Sequence, residues 1–516
     1  MMNSFEFTAT NWQGKPLRVI EFNGKEALSQ PYSFEITLTS FDFIDPEILM
    51  EGGCSLTLDD GFSDPRIFHG IAIDVTLLAF VHGQCHIKVI MVPRLWVLGL
   101  GMQSRVFLDM SVPEIITQVL EDQEYNGLIM TIDMDLCGEY PKHEYVCQFN
   151  ESALAFVSRL MEKYGIYYYF EQRAEEECLC IRDLSIAHES KNDSELYYAS
   201  TSGLDSMQDG QDESKPQLIH SFTARSQHTA LNVHLKAYDD QRPGSLPEGK
   251  ADVSDKGFGK IYTFSNQFKT QEEASKLAEV CAQQQACKAK QHSGKSRATW
   301  VEPGYIFTLR DHFLNRLNTS YLVTDVHHTG KHSSYLAHAL SSADNSDAIH
   351  YTNHFKCIPA SVQFRSQRST PNPKIYGVLS AMIDGTGSGE TPLLDKQGRY
   401  KVIMPFDLAS GSRSEGKASH WLRLSQPYGG KSHGFHFPLL KGTEVLVGFI
   451  EGNPDLPVIQ GAIPNPDNPS LVTDNNATTN HLKTAGGTEI IIDDSSGKQK
   501  VVFQCQGAII ELGATE

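Results

Sequence analysis

Residues 488–512 are almost entirely strand-forming: Thr488-Glu-Ile-Ile-Ile-Asp, a turn at Asp494-Ser-Ser-Gly, Lys500-Val-Val-Phe-Gln-Cys, then Ala508-Ile-Ile-Glu-Leu. About thirty residues of strand cannot close a hydrophobic core of their own. The apolar faces need partners, and the nearest partners are other copies of the chain. A prism of several chains buries what one leaves exposed.

The rest of the 516-residue chain is long enough for about three to four domains. Hydrophobic residues make up 40% and charged residues 21%, a globular balance. The 44 Lys+Arg against 63 Asp+Glu leave a net charge of -19. Such a chain repels phosphate backbones, so nucleic acid is not an expected partner. The acid is uneven. Residues 372–467 carry nine residues of each sign, whereas the first 371 carry 32 basic and 48 acidic.

No run approaches the ~20 apolar residues of a membrane helix. The opening Met-Met-Asn-Ser-Phe-Glu-Phe lacks the basic-then-apolar pattern of a signal peptide. Synthesis in the cytoplasm is the expectation. The ten scattered cysteines are expected to be reduced core residues.

The first ~100 residues predict strands, among them Phe34-Glu-Ile-Thr-Leu-Thr, Ser55-Leu-Thr-Leu and Ile87-Lys-Val-Ile-Met-Val. Helices are predicted over 112–123, 152–164 and 270–290 from capping residues and apolar stripes. Residues 199–217 and 239–260 have loop composition. The prolines of Ser366–Lys374 suggest a linker, and so do those of 464–480. Between them, Tyr376-Gly-Val-Leu-Ser, Arg399-Tyr-Lys-Val-Ile-Met, Trp421-Leu-Arg-Leu and Glu444-Val-Leu-Val-Gly-Phe-Ile fit a small closed barrel.

Those strands carry motifs that resemble the barrel domain of the VgrG spike proteins of type VI secretion. Asp395-Lys-Gln-Gly-Arg-Tyr-Lys-Val contains Gly398 and Arg399, and His420-Trp-Leu-Arg-Leu-Ser-Gln-Pro-Tyr contains Trp421 and Arg423. The long run from Phe437 to Gly461 contains Pro438, Gly442, Glu444, Val445, Phe449, Gly452, Pro454, Pro457 and Gly461. Upstream, Asn150–Phe170 is similar to the helix and strand of the family's N-terminal hub, and Pro303-Gly304-Tyr-Ile-Phe to a later hub motif.

The resemblance implies a mainly β, multidomain fold: a hub over 1–370 with two β-barrel subdomains and inserted helices, an OB-fold barrel over 374–467, and a neck with the start of a trimeric β-helix or prism over 468–516. It implies a homotrimer like the hub and spike of contractile phage tails. That trimer would sit on an Hcp tube, meet a PAAR cap and effectors at its C-terminal end, and touch the target membrane transiently while puncturing it. Translocation would use the contractile apparatus, with no signal peptide. The work implied is mechanical, with no catalytic residue, metal or cofactor. Family members usually continue into a longer β-helix, so a chain stopping at Glu516 is expected to be a short member or a truncated piece.

Most motif positions suit architecture. Gly442 and Gly452 suit turns, Pro454 and Pro457 stiffen a connection, and Trp421 and Phe449 are expected in the core. Arg423 and Glu444 are a candidate pair, or lie on the barrel rim.

Chemical rivals are weaker. His327, His328 and His332, with His338 nearby, surround Gly330 and suggest a solvated turn rather than a metal site. His433 and His436 fit a barrel loop. Cys178-Leu-Cys180 is tighter than the usual zinc spacing, and Cys281 and Cys287 are poorly aligned on their helix. Asp384-Gly-Thr-Gly-Ser-Gly fits a barrel loop without phosphate. A cell-wall hydrolase needs paired carboxyls on an inserted domain, and no such insertion fits. Nor is there a His-Glu-x-x-His or Walker motif. Carbohydrate binding through Trp421, Tyr428, Phe435 and Phe437 is the remaining alternative.

Overall fold

The computed structural model describes residues 4–61, 63–81, 83–122, 130–185, 188, 190–199, 218–332, 349–409 and 415–513. They fall into two compact units. One holds 1–102, 112–141 and 152–372; the other holds 103–111, 142–151 and 373–516.

The first unit begins with β1 (Ser4–Ala9), β2 (Leu17–Ala27), β3 (Gln30–Ser40), the short helix α1 (Pro46–Met50), β4 (Gly53–Asp59), β5 (Arg66–Val81) and β6 (Gln84–Val92). These strands form because apolar residues alternate. In β3, Tyr32, Phe34, Ile36 and Leu38 point inward while Ser33 and Glu35 point out. The pairing runs β1-β4-β5-β6-β3-β2 and returns to β1, which closes a six-stranded antiparallel barrel.

Next come β7 (Gln103–Phe107), α2 (Val112–Leu120), β8 (Thr131–Asp135), β9 (Val146–Glu151), α3 (Ala153–Tyr164), β10 (Tyr167–Gln172) and β11 (Glu177–Arg182). β7 and β9 pair with each other in the second unit. Ser152 caps α3 through the amide of Ala155, and Gly165 ends it in the left-handed conformation. β10 and β11 form a hairpin, with β8 alongside β11.

A second barrel follows from β12 (Ser190–Tyr198), β13 (Leu218–Ser226), β17 (Lys290–Ser296), β18 (Ile306–Arg310), β19 (Ser320–His332) and β20 (Ile349–Pro359). Inserted after β13 are a small sheet of β14 (Asn232–Lys236), β15 (Glu248–Asp252) and β16 (Lys260–Phe264), and the helix α4 (Gln271–Ala289), capped by Thr270. The second ring is β12-β13-β17-β20-β19-β18 and back to β12. Numbered by order of appearance within each ring, both barrels follow 1-2-3-6-5-4. They differ in their first strand: β1 is antiparallel to its neighbours, β12 parallel to its own.

The two rings are fused through β2 and β19. The Leu17–Arg18 end of β2 pairs with β1, whereas Glu21–Ala27 pairs with Lys331–Asp325 of β19. β19 divides likewise: Ser320–Leu322 faces β18, and Asp325–Lys331 faces β2. Glycines admit rings at three places in the barrel walls. A Cβ on Gly24 would meet Phe34 at 2.1 Å, one on Gly330 would meet Phe22 at 2.1 Å, and one on Gly294 would meet Phe355 at 2.4 Å. Strand glycine lets a neighbouring aromatic cover the backbone.

In the second unit, β21 (Val378–Ile383), β22 (Val402–Ile403), the hairpin β23 (Gly429–Gly430) and β24 (His433–Gly434), β25 (Glu444–Phe449) and β26 (Pro457–Ala462) build a small barrel. Its sheet order is β22-β21-β25-β26. Leu424 bridges Ile459 of β26 and Leu422 bridges Tyr400, next to β22, which closes the sheet. Ala381, Ile383, Tyr400, Val402, Leu422, Val445, Val447 and Ile459 fill it. The last strands, β27 (Thr479–Lys483), β28 (Glu489–Asp493), β29 (Lys500–Cys505) and β30 (Ala508–Gly513), form an antiparallel meander. The fold is mainly β, with two large fused barrels and an OB-like small barrel.

Candidate functional site

Where the two large barrels fuse, a set of polar side chains lies buried. Arg66 of β5 sends Nη2 to Glu26 Oε1 at 2.8 Å and to Glu302 Oε2 at 2.9 Å. Its Nη1 donates to the carbonyls of Thr299 and Val301 at 3.2 and 3.0 Å. The guanidinium also lies 4.3 Å from the centroid of Phe68. His328 of β19 meets Glu26 Oε1 through Nε2 at 2.9 Å and the Tyr351 hydroxyl through Nδ1 at 2.7 Å.

The donors settle the tautomer. A carboxylate only accepts, so Nε2 carries the hydrogen and Nδ1 accepts from Tyr351. Asn353 then donates to the Tyr351 oxygen at 3.2 Å and to the Ala298 carbonyl at 2.7 Å. Burial by itself raises Glu26, but Arg66 and the His328 hydrogen bond outweigh it and hold the carboxyl below its ordinary range. Burial pushes His328 down despite Glu26 beside it. The imidazole therefore stays neutral and the carboxylate charged. Such a site orients and locks; it offers no nucleophile.

This corrects the expected turn at His327–His332. β19 runs unbroken through Gly330, and the glycine sits opposite Phe22 rather than in a bend. His328 is buried, whereas His327 is exposed. His338 lies outside the described residues.

The small-barrel motif residues do not converge on one pocket. Gly398, Gly442 and Gly452 have φ of 73°, 84° and 70°, so each occupies a left-handed turn that suits glycine. Arg399 Nε lies 2.7 Å from Asp395 Oδ2. Burial raises Asp395, but the amide and side-chain bonds from Arg399 carry it below the ordinary range. Val445, Pro454 and Pro457 are buried, Pro438 is exposed, and Gly461 faces Leu446 on β25. Phe449 packs only partly buried against the core.

Trp421 is also only partly buried, with Lys401 Nζ 5.1 Å from its ring, so it is not the core residue expected. It lines a cleft with Leu108, Asp109, Lys417 and His420. Arg423 accepts the Ile459 amide at its carbonyl. Glu444 takes Asn465 Nδ2 at 2.8 Å and a Ser380 hydrogen bond, which lower its pKa. Asp384 of the Gly-rich loop accepts the amides of Gly385, Gly416 and Ala418 at 2.8, 2.9 and 3.1 Å. The aspartate thus ties its own loop, through Gly385, to the segment at Gly416–Ala418.

The surfaces are more telling. On β30, Ile509, Ile510 and Leu512 are 65%, 60% and 62% exposed. Phe503 and Ile492 also reach solvent. A second exposed cluster, Tyr428, Phe435 and Phe437, flanks the β23–β24 hairpin. No helix among the described residues is long and apolar enough to cross a membrane. Glu171, Cys178 and Cys180 bring their ligand atoms within 4.8 Å of one another, a grouping that spacing along the chain does not reveal because the carboxylate comes from the neighbouring strand.

The type VI secretion system spike protein VgrG5 of Pseudomonas aeruginosa is 28% identical over 95% of this chain and 62% of its own length. The actin cross-linking toxin VgrG1 of Vibrio cholerae is 25% identical, covering 96% of this chain and 45% of its own. This chain thus spans less than two thirds of these relatives. The solved Escherichia coli c3393 protein matches with a TM-score of 0.62 at 22% identity, covering 89% of this chain and 100% of that one. It is described as a type VI secretion component with structural similarity to the T4 bacteriophage tail proteins gp27 and gp5. Residues 393–463 match the type VI secretion system/phage-baseplate injector OB domain. Residues 25–334, more than half the chain, match the phage tail baseplate hub, and the chain belongs to that family, with its likeness there to the VgrG spike proteins.

Proposed function

We propose that this chain is the structural hub and spike of a contractile injection apparatus and works as a homotrimer. It would cap a secreted tube, puncture the target envelope and carry effectors. The observation that carries the reading is the pair of fused six-stranded barrels with one ring order. Three chains bringing two such barrels each offer a six-fold tube six platforms of one ring order. We place the hub at 1–370, the OB barrel at 374–467 and the neck at 468–516. The small-barrel motif residues serve as architecture, and no residue need carry chemistry.

In this reading the hub meets an Hcp-type tube ring, and the C-terminal end meets a PAAR-type cap and effectors. The chain is made in the cytoplasm and exported by the apparatus itself. The acidic first 371 residues favour a complementary tube surface. Tube–hub association is then expected to weaken as salt rises.

Native light scattering across a tenfold dilution tests the trimer. With a chain mass of 57.4 kDa, the expected value is 3 × 57.4 = 172.2 kDa. A persistent monomer would count against a self-sufficient spike. It would move attention to the exposed Tyr428, Phe435 and Phe437 cluster as a carbohydrate platform.

A further inference from the structure

The hairpin of β10 and β11 gathers soft and hard metal donors on one face. Tyr169 lies opposite Cys180, and Glu171 opposite Cys178. β8 adds Asp133 beside Cys180. Residues two apart on a strand share a face, so these side chains point the same way. Cys180 Sγ lies 4.0 Å from Glu171 Oε2. Cys178 and Cys180 are buried, while Glu171 is partly exposed and leaves a path for an ion and a water.

We propose that Glu171, Cys178 and Cys180 hold a Zn²⁺ ion on the β10–β11 hairpin, with water as the fourth ligand. Two thiolates and one carboxylate in a tetrahedral shell suit zinc. Magnesium and calcium want oxygen alone, and cuprous copper prefers sulfur alone. Tetrahedral zinc with donors at about 2.0–2.3 Å needs ligand atoms roughly 3.3–3.8 Å apart. The donor atoms already lie within 4.8 Å of one another, and binding would draw them together by roughly 1 Å. Binding replaces each thiol proton with the metal and releases it to solvent.

Arg173, 3.1 Å from Glu171, and Arg182, 2.8 Å from Asp133, balance the added negative charge. The metal would clamp the two strands beside their turn, where the Arg173 amide donates to the Glu176 carbonyl at 3.0 Å. That turn touches the first barrel: Gln172 accepts the His69 amide at 3.0 Å, and the Arg173 carbonyl meets His69 Nε2 at 3.0 Å. Zinc there would brace the hairpin against β5.

The test uses the full chain carrying C137S and C505S, which remove the two exposed thiols. Chelator-stripped protein is titrated with Zn²⁺ against a chromophoric chelator. The expected result is one zinc per chain. C178S/C180S is expected to lower affinity by at least about 100-fold and E171Q by about 10-fold. Co²⁺ should give a thiolate-to-cobalt charge-transfer band that the double variant lacks. Zinc should raise the melting temperature of the parent and not of the double variant. Absence of binding by the parent at micromolar free zinc overturns the site, as does equal binding by the double variant. Should the double variant fail to fold, E171Q and the cobalt spectrum of the parent decide.

Discussion

Arg66 and Glu26 meet at 2.8 Å with both side chains 7% exposed, forty positions apart in the chain. Desolvation offsets most of the attraction in such a pair, so its net contribution is small. Removing one partner is different, because the other charge stays buried and uncompensated. R66A leaves Glu26 and Glu302 without their shared cation. It is expected to cost about 3–5 kcal/mol in urea unfolding. A loss below about 1 kcal/mol would mean that water reaches the carboxylates.

Acid should weaken the hub in a defined window. Burial pushes His188 down to about 4; the Gly304 backbone hydrogen bond opposes this and Arg182 adds to it. An unfolded imidazole titrates near 6.5, so the unfolded chain binds the proton first. The stability is therefore full above about pH 6.5 and falls as pH drops toward about 4. His328 is shifted the same way by burial. Glu26, lowered by Arg66 and His328 against burial, adds a further loss below about pH 4.5. Urea midpoints measured across this range should decline, and H188Q should flatten the decline. An unchanged slope in H188Q would remove His188 from the account.

The glycine–phenylalanine contacts predict intolerance to a single methyl. G330A drives a Cβ into Phe22 and is expected to cost about 1–3 kcal/mol. G330A/F22L should recover part of that, since the ring is what the methyl meets. G244A meets nothing within 4 Å and should stay within about 0.5 kcal/mol of the parent. Equal effects at Gly330 and Gly244 would dismiss steric packing as the cause.

The exposed face of β30 should decide assembly. I510S/L512S places hydroxyls where apolar contact between chains is proposed. The mass by light scattering is expected to fall toward 57.4 kDa on dilution while the circular dichroism spectrum is kept. A dilution-resistant trimer in that variant would assign trimerisation to another surface.

The legible parts of the fold were those with local causes. Thr270 caps α4 by hydrogen-bonding the Glu273 amide, and Ala274, Leu277 and Ala278 form the buried stripe that periodicity showed. The small barrel announced itself through motif glycines whose φ values demand glycine. The ionic joint had no such signal. Glu26 and His328 are 302 positions apart, and neither has a neighbour in sequence that explains its burial. Gly330 was misread as a turn because nothing beside it in sequence marks it as a strand glycine, and the ring it makes room for, Phe22, lies on another strand. The shared ring order of the barrels is equally silent, since topology repeats without residues repeating. Trp421 looked like core because tryptophan usually is, and only the neighbouring Lys401 shows its face is used at the surface.

The forked pairing of β2 also shapes the order of events during synthesis. Its Leu17–Arg18 end can find β1 as soon as the first barrel leaves the ribosome. The Glu21–Ala27 stretch must wait for Asp325–Lys331, made some 300 residues later. At about 5–20 residues per second, that leaves a naked strand edge in the nascent chain for roughly 15–60 s. Such an edge invites pairing with a neighbouring chain. Glu26 lies within it, and a charge on an unpaired strand discourages that mistake until β19 arrives to cover it.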